Sequence, residues 1–176
     1  MQGYYIGKQK KRKCKDMKKN VGVIELGENT FLSDPCYGTM SMYNSTIQTI
    51  PGKYNVYVTI SESNSHYYKG RITSIMAVHQ DYYPKFKTMP KNDRESLFCA
   101  VDSGTCGIFN GEYFGKFHTE DDVDEEWYDK FVINMDNFIN TENKGAISSS
   151  GWGDGCYPVY AEYIGDKAFA IRIKFL

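Results

Sequence analysis

Tyr157-Pro-Val-Tyr-Ala-Glu-Tyr-Ile-Gly-Asp-Lys-Ala-Phe-Ala-Ile-Arg-Ile-Lys-Phe175 is the stretch on which the fold class turns. In an extended chain successive side chains point to opposite faces, so Tyr157, Val159, Ala161 and Tyr163 share one face. Gly165-Asp166 supplies a turn, and Phe169, Ile171, Ile173 and Phe175 continue the apolar face on the return. Arg172 and Lys174 alternate to the other face, where they reach water. The pattern predicts an antiparallel hairpin with one packed side.

Working outward, the same period recurs upstream. Val21-Gly-Val-Ile-Glu-Leu26 reads as a short strand, turned by Gly27-Glu28-Asn29 toward Phe31-Leu32. Val56, Val58 and Ile60 alternate with Tyr57 and Thr59, and a polar connection over 61–69 leads to a further strand, Arg71 to Val78. Residues 80–94 read as a surface loop, and Ser96 to Val101 as a core segment. Asn110-Gly111 between Thr105–Phe109 and Glu112–Phe117 predicts a two-residue hairpin, because both residues tolerate positive φ. Asp124 is placed to cap a helix through Ile139, with Trp127, Phe131, Met135 and Phe138 at helical spacing as a stripe that covers the sheet.

These elements predict a mainly β, α+β domain: antiparallel sheets forming a compact sandwich or a partly open barrel, with one covering helix near 124–139. At 176 residues, 41% of them hydrophobic, one core over 21–176 suffices. Residues 1–20 form a basic arm or edge segment carrying Lys10, Lys11, Arg12, Lys13, Lys18 and Lys19. An acidic run, Glu120 to Asp129, offsets it, so the net charge is only −1. The arm has the charge to meet phosphates, but no helix or paired motif for reading nucleic acid accompanies it. An acidic protein partner or the chain's own acidic run is therefore the preferred counterpart, with a small molecule second and nucleic acid third.

Cys14, Cys36, Cys99, Cys106 and Cys156 are odd in number and cannot all pair within one chain, which favours reduced thiols. No apolar leader and no membrane-length run is present, so a cytoplasmic protein is expected.

Three turn motifs carry the candidate chemistry: Ser33-Asp-Pro-Cys-Tyr37, Asp102-Ser-Gly-Thr-Cys-Gly107 and Ser148-Ser-Ser-Gly-Trp-Gly-Asp-Gly-Cys-Tyr-Pro158. The candidate ligand site comprises Asp34, Asp102, Gly104, Gly107, Trp152, Gly153, Asp154 and Gly155. Glycines let backbone amides approach an anion, and Trp152 offers either an apolar wall or a cap over the sheet. If the strand ends converge, Asp34, Asp102 and Asp154 have the chemistry to hold a divalent ion or divide acid and base roles. Otherwise each carboxylate closes its own turn. A Cys106–His118–Asp102 triad is the weaker reading beside ordinary, partly buried thiols. No histidine pair, phosphate loop or dinucleotide fingerprint identifies a cofactor.

Together the three motifs and the closing hairpin resemble a poorly characterised family of small bacterial and phage proteins of unknown function. The resemblance spans about residues 21–176, with Asp34, Asp102, Gly104, Gly107, Gly151, Gly153, Asp154, Gly155, Tyr157 and Pro158 at its characteristic positions. Cys106 and Cys156 replace other small residues there, which argues against thiol catalysis. The resemblance implies that the motifs belong to one fold, and it implies a bacterial or phage accessory protein, but it transfers no activity. A non-enzymatic binding or regulatory role, in phage–host or defence interactions, is the leading expectation, and a metal-assisted hydrolase or small-ligand binder the alternative.

Overall fold

A computed structural model describes residues 16–39, 42–85 and 97–176. Lys10, Lys11, Arg12 and Lys13 lie outside the described residues. Two antiparallel sheets make up the body, and neither closes into a barrel. The first contains β1 (Met17–Leu26), β4 (Gly52–Ile60), β5 (Ile72–His79), β11 (Lys167–Lys174), β10 (Gly155–Ile164) and β6 (Phe98–Val101), in that spatial order. The second contains β3 (Asn44–Gln48), β2 (Asn29–Ser33), β7 (Thr105–Asn110), β9 (Gly145–Ser149) and β8 (Phe138–Thr141).

The main core joins both sheets: Tyr54, Val56, Val58, Ile171 and Ile173 of the first pack with Leu32, Ile47, Cys106 and Ile108 of the second. Burying each large aliphatic side chain contributes roughly 2 kcal/mol, which makes this shared layer the dominant stabilising term. A second cluster lies on the other face of the second sheet, where Phe109 and Ile147 meet Tyr113, Phe114, Trp127 and Phe131.

Helical cover is shorter than the sequence pattern predicts. Asp124 does cap, its Oδ1 accepting from the Trp127 amide at 2.8 Å, but the α-helix α2 spans only Glu125–Tyr128 and continues as a π-helical turn over Asp129–Ile133. Phe138 instead opens β8 and packs against the main core. The reason is local: Asn134, Asp136 and Asn137 place three polar residues around Met135, which still packs against the second cluster, and the chain turns there to pair Phe138 with Ser148.

The expected hairpin at Asn110-Gly111 is also corrected. Asn110 ends β7 and caps α1 (Gly111–Phe117), its Oδ1 accepting from the Tyr113 amide at 3.2 Å. Asparagine serves either structure, and the rings that follow decide, because Tyr113 and Phe114 are buried only when the chain coils.

The closing hairpin forms as expected except at one position. A register shift between Glu162 and Tyr163 sets Glu162 opposite Ala170 and Tyr163 opposite Ala168, so the return strand carries one extra residue, Phe169, at this point. Ala168, Ile171 and Ile173 then face the main core, while Phe169 joins Met76, Val78 and Ala170 in a separate cluster. One extra residue in a strand shifts the alternation in this way.

Candidate functional site

The chain passes from one sheet to the other between β6 and β7 through Asp102-Ser103-Gly104. It passes again between β9 and β10 through Ser150 to Asp154. Two of the three turn motifs are therefore crossovers, and the third, Asp34 to Tyr37, follows β2 directly. All three meet at one corner.

Asp34 is the centre of that corner and is fully buried. Its Oδ2 accepts from the Asp102 and Ser103 amides, each at 2.8 Å. Its Oδ1 accepts from the Ser103 hydroxyl at 2.7 Å and the Cys36 amide at 3.0 Å. A carboxylate withdrawn from water needs such donors, and here they come from two separate turns. The Ser103 Oγ also accepts from the Thr105 amide at 3.2 Å, which tightens the crossover.

The second crossover attaches to the first. Gly104 carbonyl oxygen accepts from the Ser150 amide at 2.9 Å, and the Ser150 hydroxyl lies 3.1 Å from it. A methyl group at Gly104 would stand 3.7 Å from the Gly153 Cα, so the two turns are in contact. Gly151 has φ +74°, and a Cβ there would sit 2.2 Å from the Ile72 carbonyl oxygen. Only glycine fits that approach. Gly107 answers a different demand, since a side chain would strike the Phe109 ring at 2.3 Å. Gly153 carbonyl oxygen accepts from the Tyr157 hydroxyl at 2.8 Å, and Gly155 opens β10 opposite Val101.

The three acids occupy different environments. Asp102 is exposed and its Oδ2 accepts from the Tyr37 hydroxyl at 2.6 Å, a bond that holds the phenol well above its ordinary pKa. Asp154 is exposed on the adjoining turn. Among the described residues, no group of three His, Cys, Asp or Glu side chains is placed to hold a metal ion.

Trp152 lies on this corner and is 46% exposed. Arg71 sets its guanidinium 5.0 Å from the indole centroid and donates to the Gly151 carbonyl oxygen. Tyr68 presents a ring edge-on at 5.3 Å. The indole is thus held in place by the 61–71 loop without being enclosed. Arg71 and Tyr68 carried no sequence signal beyond their types; Ser103 and Ser150 stood inside the motifs, although their roles as cross-links depend on distant partners.

The thiol and imidazole groups point elsewhere. His118 is buried, with Nδ1 3.0 Å from the Phe114 carbonyl oxygen and Nε2 3.0 Å from that of Pro35. Burial lowers its pKa, opposed by those two carbonyls. Cys106 faces Cys99, Sγ to Sγ at 3.0 Å, and burial pushes its thiol well above the ordinary value. Asp102 is engaged by Tyr37, so Cys106, His118 and Asp102 make no relay. Lys18 and Lys19 belong to β1, where their ammonium groups stand 3.9 Å and 4.9 Å from the Tyr57 and Phe138 ring centroids.

Among the described residues, no helix is long and apolar enough to cross a membrane. No curated protein and no solved structure matches the chain. Residues 29–168 match a family model described as "Protein of unknown function (DUF4241)", a span that holds all three turn motifs, and the chain belongs to that family.

Proposed function

We propose that this chain is a non-enzymatic binding or regulatory accessory protein that recognises a protein partner through the corner bearing Trp152, Tyr68 and Arg71. The observation that carries the reading is a division of labour within the motifs. Asp34, Ser103 and Ser150 are committed to internal hydrogen bonds, whereas Trp152 is fixed in orientation and left open to solvent. Tryptophan, tyrosine and arginine are the residues that most often dominate binding energy, and a pre-positioned ring loses little entropy on contact.

The basic segment around Lys10 to Lys13 would speed encounter with an acidic partner. On this reading the two packed sheets are a sandwich that serves as a rigid platform, and the setting is a bacterial or phage cytoplasm, in phage–host or defence interactions. The metal-assisted alternative would use Asp34, Asp102 and Asp154. It would require Asp34 to exchange four protein donors for a ligand.

Affinity capture from host extract, followed by titration of the purified partner, tests the proposal. A single stoichiometric partner whose affinity falls at least tenfold with Trp152→Ala, and weakens with salt or after removal of residues 8–19, is the expected result. Hydrolytic activity abolished by Asp102→Asn or Asp154→Asn, with no partner sensitive to Trp152, would overturn it.

A further inference from the structure

We propose that Cys99 and Cys106 are an oxidisable dithiol, a modification site whose disulfide ties the two sheets together beneath the turn corner. Their sulfur atoms lie 3.0 Å apart, about 1 Å beyond the S–S bond length of roughly 2.05 Å, so bonding requires only a small inward movement. Each thiol is fully buried in the core shared by the sheets. Cys99 stands on β6 of the first sheet and Cys106 on β7 of the second. A bond between them closes a ring around Asp102-Ser103-Gly104-Thr105, the crossover that Asp34 already grips.

The two thiols differ in how they can be reached. Cys106 lies on the central strand of its sheet, whereas Cys99 lies on a strand of four residues that, among the described residues, is at the edge of its sheet and paired on one side with β10. Short edge segments open at lower cost than the whole domain, so a small oxidant meets Cys99 first. The oxidant class is a peroxide. In the opened state the Cys99 thiol attacks a peroxide oxygen, the O–O bond breaks, and Cys99 sulfenic acid and one water result. On reclosure the Cys106 sulfur attacks the sulfenic sulfur; the S–O bond breaks, the S–S bond forms, and the Cys106 proton leaves with the hydroxyl as a second water. Two thiols are oxidised and one hydrogen peroxide is reduced to two waters.

In the closed state burial disfavours the Cys106 thiolate, the nucleophilic form. The dithiol is therefore slow to react until the edge opens. Reaction in sub-denaturing urea is expected to be faster than in buffer.

Treating the full-length protein with hydrogen peroxide, then alkylating under denaturing conditions and digesting with trypsin, reads the product directly. Cleavage after Arg94 and Lys116 leaves both cysteines on one peptide, residues 95–116. The expected peptide carries no alkyl group, has lost two hydrogens, and recovers both alkylation sites after dithiothreitol. The melting temperature of the oxidised protein is expected to rise by about 5 °C and to fall back on reduction. A doubly alkylated peptide after oxidation, a sulfinic or sulfonic product, or cross-links from Cys99 or Cys106 to Cys14, Cys36 or Cys156 would overturn the proposal.

Discussion

Asp34 and Ser103 stand 69 residues apart in the chain and are joined twice, by the Ser103 amide on Oδ2 at 2.8 Å and the Ser103 hydroxyl on Oδ1 at 2.7 Å. This double link fastens the turn after β2 to the crossover between the sheets. Asp34→Ala takes the shared acceptor from three amides and a hydroxyl at this partly buried corner and is expected to destabilise the fold by about 3 kcal/mol. Asp34→Asn keeps the shape but turns an NH2 toward amide donors, for roughly 2 kcal/mol or more. Ser103→Ala loses the hydroxyl's bonds to Asp34 and to the Thr105 amide and hydroxyl but keeps the Ser103 amide on Asp34, at about 1–2 kcal/mol. Urea unfolding of the three variants checks the ranking; equal stabilities for Asp34→Ala and the parent would remove Asp34 as the centre of the corner.

Gly151 and Gly153 both have positive φ, +74° and +91°, yet differ in the space around them. A Cβ at Gly151 meets the Ile72 carbonyl oxygen at 2.2 Å, while one at Gly153 meets nothing within 4 Å. Gly153→Ala is expected to show only the conformational cost, about 1 kcal/mol. Gly151→Ala adds a backbone clash and is expected to cost about 3 kcal/mol or more. Thermal unfolding of the pair separates strain from crowding.

His118 predicts a pH dependence. Its folded pKa is lowered, first by burial, from the ordinary 6.5. The unfolded chain therefore binds a proton at higher pH than the folded one does, and stability falls as pH drops below about 6.5. Denaturant midpoints measured from pH 7.5 to pH 5 should decline through that window, and the part of the decline due to this group should vanish in His118→Gln. An unchanged slope would mean that other groups set the acid limit.

Trp127 is enclosed beside the Tyr113 hydroxyl, which accepts from its indole nitrogen at 2.9 Å, whereas Trp152 is half open. Iodide is expected to quench one of two fluorescence components, and Trp152→Phe should abolish the quenchable one. Trp152→Ala should shift stability by less than about 1 kcal/mol, as an exposed side chain does, while weakening partner binding. A large stability loss would assign the indole to packing instead.

The sheet was readable from alternation because period two is a local property: Val56 and Val58, like Ile171 and Ile173, are buried as their spacing demands. What failed was local ambiguity settled by tertiary contact. Asn110 suits a hairpin or a cap, and burial of Phe114 selects the cap. Phe138 keeps helical spacing with Trp127 and Phe131, but pairing with Ser148 takes it into a strand. Phe169 continues the alternation on paper, and a one-residue bulge moves it to the other face. At the corner, glycines marked the bends, yet adjacency of the bends rests on bonds such as Ser150 to Gly104, 46 residues apart, which no spacing rule encodes.

The closing hairpin gives the molecule two unlike ends. β10 leaves the corner at Gly155 and reaches its tip at Ile164, ten residues and about 30 Å away. Near Gly155 neighbouring chain segments are bonded to one another, so lengthening either crossover would pull on its neighbour. At the Gly165-Asp166 tip the flanking Ile164 is 47% exposed, and a Cβ on Gly165 would touch nothing within 4 Å. A fluorophore, an affinity handle or a tether grafted at that tip would leave the far end undisturbed and orient Trp152 away from the support.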